Sequence, residues 1–87
     1  MEGRRLILND GTTIENGDAG YSDGSLWLFF TGYTMQEMAG MFLDPEKTSK
    51  IVYQYGDMSA EYDNFTNCKT MTIDTDGNNS VCMARGE

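Results

Sequence analysis

The sequence predicts an α+β fold: a mostly antiparallel sheet of about five to six strands packed on one short helix, in the order β-β-β-α-β-β-β-β. Three observations predict it. Short runs of alternating, β-branched or aromatic residues are separated by Asn/Asp-Gly turn signals. One helical stripe follows one capping box. The 87 residues give room for a single domain, 1–87, with one core.

The elements follow in order. Residues 4–9 read as a short strand, Asn9-Asp10-Gly11 as a tight turn, and Thr12–Glu15 as the returning partner. Asn16–Gly24 holds three glycines and two aspartates and reads as a mobile loop. Ser25–Thr31 is the clearest strand. Leu26, Trp27, Leu28, Phe29 and Phe30 are apolar on both faces, the pattern of a strand covered on both sides. Gly32-Tyr33 breaks it.

Thr34-Met35-Gln36-Glu37 is a capping box. Behind it Met35, Met38, Ala39 and Phe42 recur at helical spacing, so Met35 and Met38 are expected in the core, with Met41 and Met58 exposed. The helix should span about ten residues. Asp44-Pro45 ends it, and Asp44 can cap a further turn through Lys47. Lys50–Tyr55 alternates, Gly56-Asp57 turns, and Met58–Phe65 is a more polar strand. Cys68–Asp74 and Ser80–Arg85 flank a last hairpin, for which a five-residue loop, Thr75–Asn79, pairs Ile73 with Val81 and Met71 with Met83. A helix about 15 Å long cannot cover five or six strands spaced about 4.8 Å apart. Either the sheet curls around the helix or a partner shields its other face.

Composition excludes several chemistries. There is no histidine, so no Ser-His-Asp triad, Cys-His pair or imidazole metal site can be built. Fourteen acids against six bases give a net charge of −8, which argues against direct nucleic-acid binding. No apolar run is long enough for a membrane span, and the N-terminus lacks a secretory pattern. A cytoplasmic protein with reduced thiols is therefore expected. In the favoured register Cys82 lies opposite Thr72, about 13 Å along the strand from Cys68, beyond the reach of a disulfide. Asp74-Thr75-Asp76-Gly77 has calcium-loop character but lacks the first ligand and the bidentate glutamate, so it reads as a hairpin. The sequence offers no catalytic constellation, cofactor motif or metal site. A non-enzymatic protein is expected.

The informative feature is where the charge lies. Residues 6–46 contain seven acids and no base, and residues 51–68 contain three acids and no base. Such a surface either keeps a small protein soluble or steers it to a basic partner. For the second reading the candidate partner-binding residues are Asp10, Glu15, Asp18 and Asp23 in the first half, and Asp57, Glu61, Asp63, Asp74 and Asp76 in the second.

Two segments, Leu6-Ile7-Leu8-Asn9-Asp10-Gly11-Thr12 and Leu43-Asp44-Pro45-Glu46-Lys47-Thr48-Ser49-Lys50-Ile51-Val52-Tyr53, cover about a fifth of the chain. In them the chain resembles small acidic proteins encoded by bacteriophages of Firmicutes and gut bacteria. That class includes inhibitors of bacterial defence, among them anti-CRISPR proteins, some of which imitate the charge of DNA, and also virion or tail components. The resemblance implies a viral protein that inhibits a nucleic-acid-binding effector nuclease by acting as a DNA mimic. The alternative is a tail or assembly subunit, a homo-oligomer with Trp27 or Phe29 at its contact. No residue role carries over from the resemblance.

Overall fold

A computed structural model describes residues 3–86; Met1, Glu2 and Glu87, and with them the start of the N-terminal segment, lie outside the described residues. The elements are β1 (Arg4–Leu8), β2 (Thr13–Glu15), β3 (Asp18–Ser22), β4 (Ser25–Thr31), α1 (Met35–Phe42), α2 (Pro45–Thr48), β5 (Lys50–Tyr55), β6 (Met58–Asp63), β7 (Asn67–Ile73) and β8 (Asn78–Ala84). The class is α+β and mostly antiparallel sheet, as the pattern predicts. The width problem, however, is solved in neither of the expected ways. The strands form two four-stranded sheets, β2-β1-β5-β6 and β3-β4-β8-β7, rather than one sheet of five or six. Leu6, Leu8, Ile14 and Ile51 of the first share one core with Leu26, Leu28, Phe30, Val81 and Met83 of the second. Each sheet buries the apolar face of the other, and α1 adds Met38, Met41 and Phe42 to the same cluster.

Local chemistry explains the elements. The β1–β2 turn closes through Gly11 N–H to the Leu8 carbonyl (2.9 Å), with Gly11 at φ +92°. The expected loop at Asn16–Gly24 is largely strand instead: Asp18–Ser22 pairs along its whole length with β4. Two left-handed turns, at Asn16 and at Asp23-Gly24, bracket it and allow the reversals. Gly17 permits a close approach, because a Cβ there would stand 2.8 Å from the Leu6 side chain.

In β4 only one face is covered. Leu26, Leu28 and Phe30 are buried, whereas Trp27 is 37% and Phe29 43% exposed. The expectation of cover on both sides fails because the first sheet covers β4 from one side alone. The capping box of α1 forms as read: Thr34 Oγ1 accepts from the Glu37 amide (3.1 Å), and Glu37 Oε1 accepts from the Thr34 amide (2.8 Å). The helix has eight residues rather than about ten, and its buried residues are Met38, Met41 and Phe42. Met35 is 43% exposed and Met41 8%, the reverse of the sequence reading. Met35 opens the first turn, and the helix is rotated so that positions 38, 41 and 42 meet the core. Phe42 stacks on Phe30, with centroids 5.8 Å apart. Asp44 caps α2 through the Glu46 amide (3.0 Å), as expected.

Two further expectations are corrected. The strand beginning at Met58 stops at Asp63, because Asn64 at φ +68° turns the chain and drops Phe65 into the core. In the last hairpin Ile73 pairs with Asn79 and Met71 with Val81, a slip of two residues from the expected register. The loop is shorter because Asp74 organises it: its carboxylate accepts from the amides of Asp76 and Asn78, both at 2.9 Å. A two-residue slip keeps every side chain on its face, so the face assignment survives the error. A register shift between Cys68 and Thr70 then sets Cys82 opposite Thr70 and Cys68 opposite Met83, closer than expected. Both thiols are free.

Candidate functional site

The nine candidate acids fall into two groups once the sheets form. The first group sits beside cations. Glu15 pairs across the ladder with Arg5. Asp18 lies 3.5 Å from Arg4 and accepts a 2.7 Å hydrogen bond from the Tyr53 hydroxyl. Glu61 lies 3.5 Å from Lys50 Nζ, and Asp63 is the ladder partner of the same lysine. A run without bases in the sequence is thus not free of bases in space, because strand pairing brings Arg5 and Lys50 alongside it, and the packing of the two sheets brings Arg4.

The second group sits in turns. Asp10 is in the β1–β2 turn, Asp23 in β3–β4, Asp57 in β5–β6, and Asp74 and Asp76 in β7–β8. All five are exposed, and the ion pairs found among the described residues involve none of them. Two of these have structural duties. The Thr12 amide (3.0 Å) holds the Asp10 carboxyl below its usual range, with further help from Lys47. Asn78, through its amide and its side chain, does the same for Asp74. The turn carboxylates stand at the ends of both sheets and do not converge on one face.

No protein family, curated protein or solved structure matches the chain. The site must therefore be read from its own geometry.

Three surfaces stand out beyond the acids. On the outer face of β4, Trp27 and Phe29 are exposed two residues apart. Near β6, Tyr53, Tyr55, Met58, Ala60 and Tyr62 line an apolar groove of about 210 Å³. Beside it, Glu61 and Asp63 share a shallow concavity of about 360 Å³ with Tyr62, Phe65 and Arg85, whose guanidinium lies 5.3 Å from the Phe65 ring centroid. Among the described residues no three His, Cys, Asp or Glu side chains are placed to hold a metal, and no helix is long and apolar enough to cross a membrane.

Sequence reasoning missed two interactions. Burial first, and then the bond to Asp18, push the Tyr53 hydroxyl up to about 12, so it stays a proton donor to Asp18. Asn79 is fully buried, and its Nδ2 donates to the Tyr33 carbonyl (2.8 Å) and Met38 Sδ (3.0 Å). It ties β8 to the chain entering α1. The alternation of β5 placed Tyr53 on the same face as Ile51, which is all the sequence signalled of the first. Nothing signalled the second, because Asn79 reads as a turn residue.

Proposed function

We propose that the chain is a non-enzymatic acidic binding protein of the host bacterial cytoplasm. It engages the basic groove of a nucleic-acid-binding defence effector, in the manner of a phage-encoded inhibitor that imitates the charge of DNA. The observation that carries this reading is the set of exposed turn carboxylates, Asp10, Asp23, Asp57, Asp74 and Asp76, on a chain of net charge −8. Unpaired charges at turn tips keep their field for a partner, whereas a carboxylate already beside a lysine or arginine contributes little to steering. Asp18, Glu15, Glu61 and Asp63 are the weaker members for that reason. The protein needs no cofactor for this role, and it neither touches nucleic acid directly nor inserts into a membrane.

The test uses purified defence nucleases, with DNA added before or after the protein. A triple reversal of Asp23, Asp57 and Asp76 to lysine should abolish inhibition, and wild-type inhibition should weaken as salt rises over the range where the Debye length shrinks below about 8 Å. Unchanged inhibition by the reversed protein would end the reading. Asp10 and Asp74 are left in place because each builds its turn.

A second reading, a self-assembling structural subunit such as a tail component, is favoured by the exposure of Trp27 and Phe29 on the outer face of β4. It requires multimers in solution, and sedimentation of the wild type against Trp27→Ser decides it.

A further inference from the structure

The two sheets leave four strand edges, β2, β6, β3 and β7. An open edge is a template for another strand, and proteins blunt their edges. Three of these are blunted. β2 has three residues. β7 is broken by a register shift at the exposed Lys69. β3 is tied across to the first sheet through the Asp18 bonds to Tyr53 and Arg4. β6 differs: its six residues pair with β5 in unbroken register and carry no proline, lysine or bulge. Met58, Ser59, Glu61 and Asp63 on it are exposed, Met58 at 70%.

The two faces of this edge differ in chemistry. Ladder pairing sets Tyr62 opposite Ile51, Ala60 opposite Tyr53 and Met58 opposite Tyr55, so these side chains share the face that leads into the core. They form the apolar groove of about 210 Å³, with the Tyr53 and Tyr55 rings stacked 6.4 Å apart. The opposite face carries Glu61 and Asp63, with Asp57 at the turn; the cations near them are Lys50 on β5 and Arg85 in the concavity they share.

We infer that the β6 edge accepts an extended segment of the basic partner as an additional antiparallel or parallel strand. Its alternate side chains are apolar over the tyrosine groove, and the intervening ones are lysine or arginine beside Glu61 and Asp63. This rests on the proposed binding of a basic partner and names where and in what conformation that partner is held. Strand addition supplies affinity through main-chain hydrogen bonds and specificity through every second side chain. Opposite charges on neighbouring strands attract when directly opposed, and like charges repel. That rule disfavours a second copy as occupant, since β6 against β6 brings Glu61 and Asp63 towards their own counterparts.

The probe is a blocked seven-residue peptide alternating lysine with valine, titrated into isotope-labelled full-length protein. Three controls accompany it: the same composition with the valines grouped together, the alternating peptide with all its backbone nitrogens methylated, and a version with glutamine for lysine. The alternating peptide should shift the β6 and groove resonances and slow hydrogen exchange of the outward β6 amides. Methylation, which removes two or more backbone donors without touching the protein, should weaken binding about tenfold or more. Glu61→Gln with Asp63→Asn should weaken it several-fold and flatten its salt dependence. Equal binding of the grouped or methylated peptide, or shifts confined to the turn carboxylates, overturns the strand proposal while leaving the acidic reading in force. No peptide binding by a protein that still inhibits effectors does the same. Peptide binding at β6 by a protein that inhibits none supports the edge and removes the effector reading. A homodimer whose contact maps to β6 overturns the proposal outright.

Discussion

Met35 and Met41 give opposite outcomes under the sequence stripe and under the folded helix, so alanine at each position tests the rotation of α1. Met41 is 8% exposed and belongs to the core cluster, whereas Met35 is 43% exposed in the first turn. Truncating a buried methionine costs roughly 2–5 kcal/mol. The position lies at the rim of the core, so about 2–3 kcal/mol is expected for Met41→Ala. Met35→Ala should stay within about 0.5 kcal/mol of wild type, as surface substitutions do, helped by the helix preference of alanine. A difference of about 2 kcal/mol is a shift of roughly 8–16 °C in Tm for a domain of this size, out of a total stability of about 4–13 kcal/mol at typical values per residue. Denaturant melts followed by far-ultraviolet circular dichroism read both variants, with m unchanged if the unfolded states match. If Met35→Ala costs as much as Met41→Ala, the helix faces the core by the stripe Met35-Met38-Phe42, and the observed packing is wrong.

Thr34→Ala removes the side-chain half of the capping box and should cost about 1 kcal/mol, read in the same melts. Phe42→Ala, which vacates a fully buried site stacked on Phe30, should cost roughly 3–5 kcal/mol. The raised hydroxyl of Tyr53 adds stability that is complete below its unfolded value near 10 and is lost as pH climbs towards about 12; alkaline melts of Tyr53→Phe should lack that loss, and the late part of the wild-type tyrosinate absorbance should vanish in the same variant. Alkylation under denaturing, non-reducing conditions should label both Cys68 and Cys82. In the native protein Cys82 should react more slowly because it is buried, and Cys68 should also lag a free thiol because burial raises its pKa.

Local rules carried most of the elements. The Asn9-Asp10-Gly11 turn, the Thr34–Glu37 box, the Asp44-Pro45 stop and the β5 alternation depend on neighbours in sequence, and each formed as the residues dictate. What depended on distant partners was not legible. Whether Trp27 and Phe29 are covered is decided by how many sheets exist, which no window of residues encodes. β3 was missed because Ala19, Gly20 and Ser22 have weak strand preference; its pairing with β4 outweighs that preference. The hairpin register failed by two residues because Asp74 draws three hydrogen bonds from Asp76 and Asn78 and so fixes a tighter loop than apolar matching suggested.

The candidate acids were legible as a list and not as an arrangement, and sheet pairing is the reason. Antiparallel neighbours lie roughly 5 Å apart, so a base well removed in sequence can neutralise an acid. Lys50 does this for Glu61 and Asp63 from the adjacent strand, and Arg4 for Asp18 from the opposite sheet. Most turn tips have no such ladder neighbour, because the pairing ends before them; Asp10, which feels Lys47, is the exception. A strand-borne carboxylate therefore acts mainly through its immediate cross-strand position, and a turn-borne one through its longer-ranged field. The two groups should separate by kinetics: reversal at Asp23, Asp57 and Asp76 should slow association with a basic partner and be masked by salt, while neutralising Glu61 and Asp63 should speed dissociation and persist at high salt. If both sets change only the association rate, β6 contributes nothing but charge, and the open edge beside the tyrosine groove has no part in holding the partner.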